Sequence, residues 1–269
     1  MATESTMSSW FELVSKQQHE ALTQFLASGY TYSGMSTSEA EGVASFGANA
    51  VFTSWLVCFG LIGLALVGRL SMNKVSTRTG VEKYYADSKF SIRNFWEIYV
   101  TGIRDLGNSL MSTANTKQFF WLFGGLFLYI FSSNIVGILP GGTPPSQDIS
   151  NNLSMAIVVL ISFTIIGLSR QGMGFIKHLL GPVWYLAWLI FPIEVFSTFI
   201  VRPGSLALRL GGNMNGDHTV LGIAYQFLEY GLPVAALVLG TFVSLVQAFV
   251  FTLLTMIYVL LSLEHDDHH

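Results

Sequence analysis

Apolar residues in this chain fall into blocks, and the blocks are of membrane length. Residues 50–70, 119–139 and 153–169 are near-continuous apolar runs. Each is close to the ~20 residues that a helix needs to cross ~30 Å of hydrocarbon. Two longer runs follow, about 180–216 and 220–262. At 1.5 Å per residue they would make helices of ~55 and ~65 Å, about twice the hydrocarbon thickness. Such segments must tilt steeply, break, or both. Gly181, Pro182, Pro192, Pro203, Gly231 and Pro233 are the expected bend points. The pattern predicts an all-α polytopic membrane protein with about five membrane-crossing helices, the last two long and strongly tilted, plus interfacial amphipathic helices.

The polar stretches between the blocks orient them. Residues 1–48 are polar, with Lys16 as their only lysine or arginine, and Trp10, Phe11, Val14, Ala21, Leu22 and Phe25 fall mostly on one helical face. This segment is expected to lie outside or at the interface, leaving 49–269 as the membrane domain. Residues 71–117 carry Lys74, Arg78, Lys83, Lys89, Arg93, Arg104 and Lys117, an excess that marks a cytoplasmic segment and puts the N-terminus outside. Within it Ile92, Phe95, Trp96, Tyr99, Ile103, Leu106 and Leu110 recur every three or four positions, opposite Arg93, Asn94, Glu97, Arg104, Asp105 and Asn108. That spacing predicts a helix over about 90–112, lying in the inner headgroup region. The link 140–152 holds no lysine or arginine, as an outside loop should. Five crossings then bring the tail 264–269 to the cytoplasm, after a helical hairpin over about 180–262.

Composition agrees with the pattern. The 269 residues are 51% hydrophobic and 11% charged, where soluble domains run near 25% charged. A net charge of -3 without a basic stripe excludes nucleic-acid binding. The single cysteine, Cys58, cannot form an internal disulfide and reads as a small residue of the first span. The N-terminus has neither a signal peptide's basic start and early apolar run nor a transit peptide's arginines. No phosphate-binding glycine loop and no HExxH occurs, so neither cofactor nor metal is expected. The acidic, histidine-bearing tail reads as a solvated end.

Against this background one cation stands out. Arg209 lies inside the fourth apolar run, and no acidic residue lies within one helical turn of it. Burying a guanidinium in a bilayer costs at least about 2.5–3.5 kcal/mol, and it cannot shed its proton. Its partner must come from elsewhere in the fold or from another chain. The other ionisable groups of the two long runs are Glu194, Arg202, Asp217, His218 and Glu229. Glu194 falls on the side toward Arg170 and Lys177, Asp217 and His218 on the other, so Arg209 separates two polar patches. Ser205, Arg209, Gly212, Asn213 and Gly216 share one helical face, with Leu206 and Leu210 pointing away. Gly240, Ser244, Gln247, Thr255, Tyr258 and Ser262 form a second small or polar stripe, a pattern that also suits plain helix packing. Arg202 has two readings, snorkelling to the interface or pairing with Glu194.

Ser205-Leu-Ala-Leu-Arg209-Leu-Gly-Gly-Asn213-Met, preceded by Pro192-Ile-Glu194 and Arg202-Pro203, resembles subunit a of F-type ATP synthases. Leu245-Val-Gln247-Ala-Phe-Val-Phe-Thr-Leu-Leu-Thr255-Met-Ile-Tyr258 is similar to that family's last-helix signature, and Ser133-Asn134-Ile-Val-Gly-Ile-Leu-Pro140 to a third family stretch. The resemblance covers most of 119–262 and little of the first hundred residues. It implies a proton-conducting stator facing a rotating c-subunit ring, held by peripheral-stalk b subunits in a bacterial inner membrane, with ATP chemistry in other subunits.

By the same resemblance Arg209 is the essential charge separator opposite the ring carboxylate. The resemblance likewise makes Gln247 the paired glutamine, Asn213 the channel asparagine and Glu194 the cytoplasmic-side glutamate. Asp217, His218, Gly240 and Ser244 are expected to complete the outer proton path with Asn213 and Gln247, and Ser197 and Thr198 the inner one with Glu194. The chain departs from the family where many relatives carry histidine and this one has Gly240, and where Asp217 and His218 replace a frequent glycine and glutamate. That pattern implies that the polar function has moved between facing helices, with Gly240 making room. Two rivals remain: a self-contained proton-coupled secondary transporter, which should carry its own counter-ion and usually an internal repeat, and an intramembrane enzyme, for which Asp217 and His218 alone are a weak pair. The coupled ion, proton or sodium, is not written in this chain.

Overall fold

The computed structural model describes residues 16–32, 37–76, 92–138, 143–172, 187–227 and 231–263. All the regular elements described are helical. They are α1 (Lys16–Tyr32), α2 (Thr37–Ser76), α3 (Ile92–Leu110), α4 (Thr113–Ile138), a short 3-10 turn (Pro145–Gln147), α5 (Ile149–Gln171), α6 (Ala187–Phe196), a π turn (Ser197–Val201), α7 (Arg202–Phe227) and α8 (Gly231–Leu261). Five stretches are long and apolar enough to cross a membrane: Gly47–Leu70, Thr113–Ile138, Ile149–Gln171, Trp188–Ala224 and Val234–Leu261. The all-α polytopic expectation holds, with the first three spans within a few residues of their predicted positions.

The helix of the first span begins well before its apolar part, at Thr37. Of the predicted N-terminal amphipathic face, Trp10, Phe11 and Val14 lie outside the described residues, as do Arg78, Lys83, Lys89, Lys177, Gly181, Pro182, Glu229 and the tail from Glu264. The remainder of that face does not form a buried stripe. Phe25 is 73% exposed and Ala21 is exposed, although α1 packs on α2.

Helix α4 sits at the centre, touching α2, α3 and α8, while α7 packs between α5 and α8. Phe119, Phe123 and Ile130 of α4, Val159 and Phe163 of α5, Leu206 and Leu210 of α7, and Phe251, Met256 and Val259 of α8 form one continuous core. Lipid tails are as apolar as these side chains, so packing and interhelical hydrogen bonds hold such a bundle together. Helix α3 shows this at its seam with α4. Ile103 and Gly107 are buried there, and a Cβ on Gly107 would stand 2.5 Å from Thr116 Cγ2. The Tyr99 hydroxyl donates to the Gly124 carbonyl at 2.6 Å. Burial pushes that phenol well above its usual range, so it stays a donor.

The cytoplasm-expected end is tied by Arg170 Nη2 donating to Gln118 Oε1 (2.6 Å) and Gln171 Nε2 donating to the Ser262 carbonyl (2.8 Å). Helix α5 ends at Gly172, whose φ of +53° suits glycine and whose N–H closes onto the Leu168 carbonyl. At its other end Asp148 caps it by accepting from Ser150 N–H at 3.0 Å.

The fourth span corrects the sequence reading in two respects. The predicted end near residue 216 is not an end, because α7 runs unbroken from Arg202 to Phe227. Gly216, Asp217 and His218 interrupt the apolar run, yet a backbone within hydrocarbon must satisfy its own N–H and C=O groups and keeps the helix going. The irregularity lies earlier, in the π turn, where Arg202 N–H reaches the Ser197 carbonyl five residues back. Pro203 follows at once. A proline has no N–H and its ring crowds the carbonyl four residues before it, and a widened turn absorbs both defects. Pro192 is carried inside α6, while Gly231 and Pro233 fall in the first turn of α8, where a missing N–H is harmless.

Candidate functional site

Three groups of polar residues lie in order along α6, the π turn and α7. Glu194, Ser197 and Thr198 come first, Arg209 stands eleven residues beyond Thr198, or ~16 Å at helical rise, and Asn213, Asp217 and His218 follow. The spacing that put Ser205, Arg209, Gly212, Asn213 and Gly216 on one face is realised as an exposed face, while Leu206 and Leu210 are buried on the other. Leu208, 64% exposed, extends the open face. Beside it α8 presents Val238, Phe242, Leu245 and Phe249, all exposed. Arg209 therefore emerges from an apolar surface, and it makes no hydrogen bond or ion pair among the described residues.

The glycines on this face pack against nothing among the described residues. A Cβ added at Gly204, Gly212 or Gly216 would meet nothing within 4 Å. Gly211, one position off the face, is different: its Cβ would lie 3.1 Å from Asn152 Nδ2.

Next to Arg209 the two stripes are joined by a single short bond. Asn213 Nδ2 donates to Gln247 Oε1 at 2.6 Å. Gln247 is buried and its Nε2 has no partner among the described residues. The carbonyl of Gln247 is thus committed to α7 one turn beyond Arg209, and its amide hydrogens remain to be satisfied.

A turn further on, Asp217, His218, Gly240, Ser244, Met214 and Gly137 line a small cavity of about 20 Å³. That is room for one water by the usual measure, and His218 Nε2 is buried beside it without a hydrogen-bond partner among the described residues. A Cβ on Gly240 would meet nothing within 4 Å, so the space opposite Asp217 and His218 is open. On the other side of Arg209, Glu194 Oε1 lies 3.6 Å from Arg202 Nη2, and the Arg202 guanidinium lies 5.6 Å from the centre of the Tyr258 ring. Of the two readings of Arg202, the structure has the pairing one. Thr198 is buried nearby and Ser197 half-buried.

A polar layer behind α7 was not read from the sequence as a unit. Ser146 Oγ donates to Asn134 Oδ1 at 2.6 Å, and Asn152 Nδ2 donates to the Ser146 carbonyl at 2.7 Å. The Tyr129 hydroxyl and Ser54 Oγ both reach Asn151 Oδ1, at 3.2 and 3.4 Å. Ser133 Oγ, Asn151 Nδ2 and Asn152 Oδ1 are buried without partners among the described residues, which suits ordered water. Asparagines opening an apolar span were the available signal, but 140–152 reads as a loop, and loops do not announce burial.

A chain of donors and acceptors on each side of a fixed cation can pass protons along each side while hindering passage past the cation. Among the described residues no group of His, Cys, Asp and Glu could hold a metal ion. Comparison with known proteins gives the kinship of the chain. Residues 51–260 match the family model described as ATP synthase A chain. ATP synthase subunit a of Geobacter sp. is 38% identical over 226 residues, covering 83% of this chain and 91% of that protein. ATP synthase subunit a of Geobacter sulfurreducens is 34% identical over 222 residues (82% and 90%), and that of Bdellovibrio bacteriovorus 35% over 208 residues (77% and 90%). A bundle with five membrane-length stretches, matched to one family over nearly all of its membrane part, leaves no ambiguity about kinship: the chain belongs to the ATP synthase subunit a family.

Proposed function

We propose that this chain is the stator half of a rotary proton path, acting with a ring of c subunits and held by b subunits in a bacterial inner membrane. Family membership makes it a multi-pass, proton-translocating subunit that works with the other ATP synthase subunits and leaves ATP chemistry to them. The finer reading rests on one observation: Arg209 stands on an open apolar face, framed by Gly212 and Gly216 whose Cβ directions are empty, with no counter-charge in reach among the described residues. Small residues allow close approach of a neighbouring helix, and a lone cation asks for an anion on that helix. A ring carboxylate supplies both.

A proton from outside passes the Asp217, His218, Gly240 and Ser244 cavity and the Asn213 and Gln247 bond, and neutralises the carboxylate. The neutral carboxyl moves into lipid, which the charged form cannot do cheaply. After nearly a full turn it meets the inner path at Glu194, Ser197 and Thr198 and releases the proton, which Arg209 favours by stabilising the anion. The same charge repels protons leaking straight across. At 4 Å and an effective dielectric near 20, the ion pair attracts by ~4 kcal/mol, whereas 100 mV supplies only ~2.3 kcal/mol per charge. The rotor can leave only if Arg209 keeps water or polar groups about it, and its exposed position suits that need. The N-terminus outside and the tail in the cytoplasm follow from the distribution of lysine and arginine.

The test is Arg209→Ala in the assembled complex, with passive proton permeability and ATP-driven pumping measured in the same vesicles. Loss of pumping with an unimpaired assembly supports the reading; normal coupled pumping refutes it.

A further inference from the structure

Arg202 is a cation of the fourth span to which the proton path gives no task, and three helices meet at its guanidinium. Arg202 Nη2, at the head of α7, lies 3.6 Å from Glu194 Oε1 on α6. The guanidinium carbon lies 5.6 Å from the centre of the Tyr258 ring on α8. A guanidinium over an aromatic face at that range is attracted by the negative face of the ring, and its flat shape suits stacking. Tyr258 is itself placed by packing, with its ring 6.2 Å from that of Phe163 on α5. Arg202 therefore has a support on one side and a carboxylate on the other.

The π turn favours this pairing. Arg202 follows Glu194 by eight positions, and at about 100° per residue a regular helix would leave the two about 80° apart around its axis. The backbone stays right-handed helical at both borders of the turn, Phe196 and Arg202, so the chain runs through without a break. Because Arg202 N–H closes onto the Ser197 carbonyl five residues back, each residue there advances by less than in an α-helix, and the offset shrinks. Arg202 in turn stands seven positions before Arg209, close to two whole turns, so the two arginines share a face. The pair thus draws Glu194 toward the side of the span that carries Arg209. Arg202 is 28% and Glu194 33% exposed, so the carboxylate is held without being sealed from water. A proton acceptor that a moving donor must meet at one place gains from having fewer places to visit.

We propose that Arg202, steadied on the Tyr258 ring, is a positioning residue that holds the Glu194 carboxylate toward the Arg209 side of the fourth span. This role rests on Glu194 being part of the inner proton path.

The test is a double-variant cycle in the assembled ATP synthase, reading ATP-driven proton pumping by membrane vesicles, scaled to the amount of assembled complex in each preparation. Arg202→Gln should slow pumping a few-fold, the scale of a part-exposed ion pair, and Arg202→Lys should recover most of that loss. Tyr258→Leu should lose more than Tyr258→Phe, which keeps the ring. In a Glu194→Gln background Arg202→Gln should have no further effect, because the carboxylate it holds is gone. If Glu194→Gln stops pumping outright, Glu194→Asp, shorter by a methylene and so out of reach of Arg202, replaces it in the cycle with the same expectation. Losses that multiply in the double variant, or an equal loss with lysine and glutamine at 202, overturn the positioning role and leave the inner path standing. Pumping at the native rate in Glu194→Gln overturns the inner path and the positioning role together.

Discussion

Glycine serves two opposite purposes in two regions of this protein. On the packed side, Gly137 lies where a Cβ would come within 2.2 Å of Met214 Cε and 2.8 Å of Pro144 Cγ, Gly124 holds the Tyr99 hydroxyl, and Gly107 seats Thr116. There the chain's own packing accounts for each missing side chain. On the open face around Arg209, a Cβ at Gly204, Gly212 or Gly216 would meet nothing among the described residues. A residue whose smallness is unused internally points to something outside. On the proposed reading, the open glycines beside Arg209 are where the neighbouring subunit would approach.

The largest effect expected on the open side is from Arg209→Ala. Removing a fixed charge from a low-dielectric path should cost on the order of 100- to 1,000-fold in coupled ATP synthesis by membrane vesicles. Because the side chain makes no hydrogen bond or ion pair among the described residues, yield and thermal midpoint should not change. Next is the pair Asp217→Ala with His218→Ala, which should slow coupled proton flux by about 100-fold, the usual scale for positioned proton-transfer groups. Normal flux in that double variant would break the assignment of the outer path, and partial recovery on adding Gly240→His would sharpen it.

The direct contrast between regions comes third. Gly137→Ala should destabilise the subunit by about 1–3 kcal/mol, as overpacking does, read by thermal aggregation of the purified complex. Gly212→Ala should leave that reading untouched and lower rotary activity instead. If both changed stability alike, the two-region distinction would fail. The smallest effect is at Arg202. Its pair with Glu194 at 3.6 Å is part-exposed, and such pairs contribute ~0–1 kcal/mol, so Arg202→Gln should change stability little and pumping by only a few-fold.

Much of the fold could be read directly from the residues. The spans at α4 and α5 and the amphipathic α3 follow from block length and from a three-to-four-residue repeat, which are local properties. That Arg209 has no acid within a helical turn was legible too, because it depends only on its near neighbours in sequence. What stayed hidden depends on contacts distant in sequence. Asn213 and Gln247 are 34 positions apart, and only the packing of α7 on α8 puts them at 2.6 Å. Asn152 is fully buried although its surroundings read as a loop, since burial there comes from α7 lying across the 3-10 turn. The unbroken course through Asp217 and His218 escaped for another reason. Glycine, asparagine and aspartate favour turns in water, and in hydrocarbon the unpaired backbone decides otherwise.

The wide turn at Ser197–Val201 has a consequence for engineering this protein. Each residue of a regular helix advances the azimuth by about 100°. A single-residue deletion that tightened those five positions would turn Glu194 and everything before it to a new bearing relative to Arg209. The proposed inner and outer polar groups would then lose their present bearing relative to one another, although every side chain named above would still be present. Angular phase along one continuous helix is therefore as much a part of this site as its chemistry.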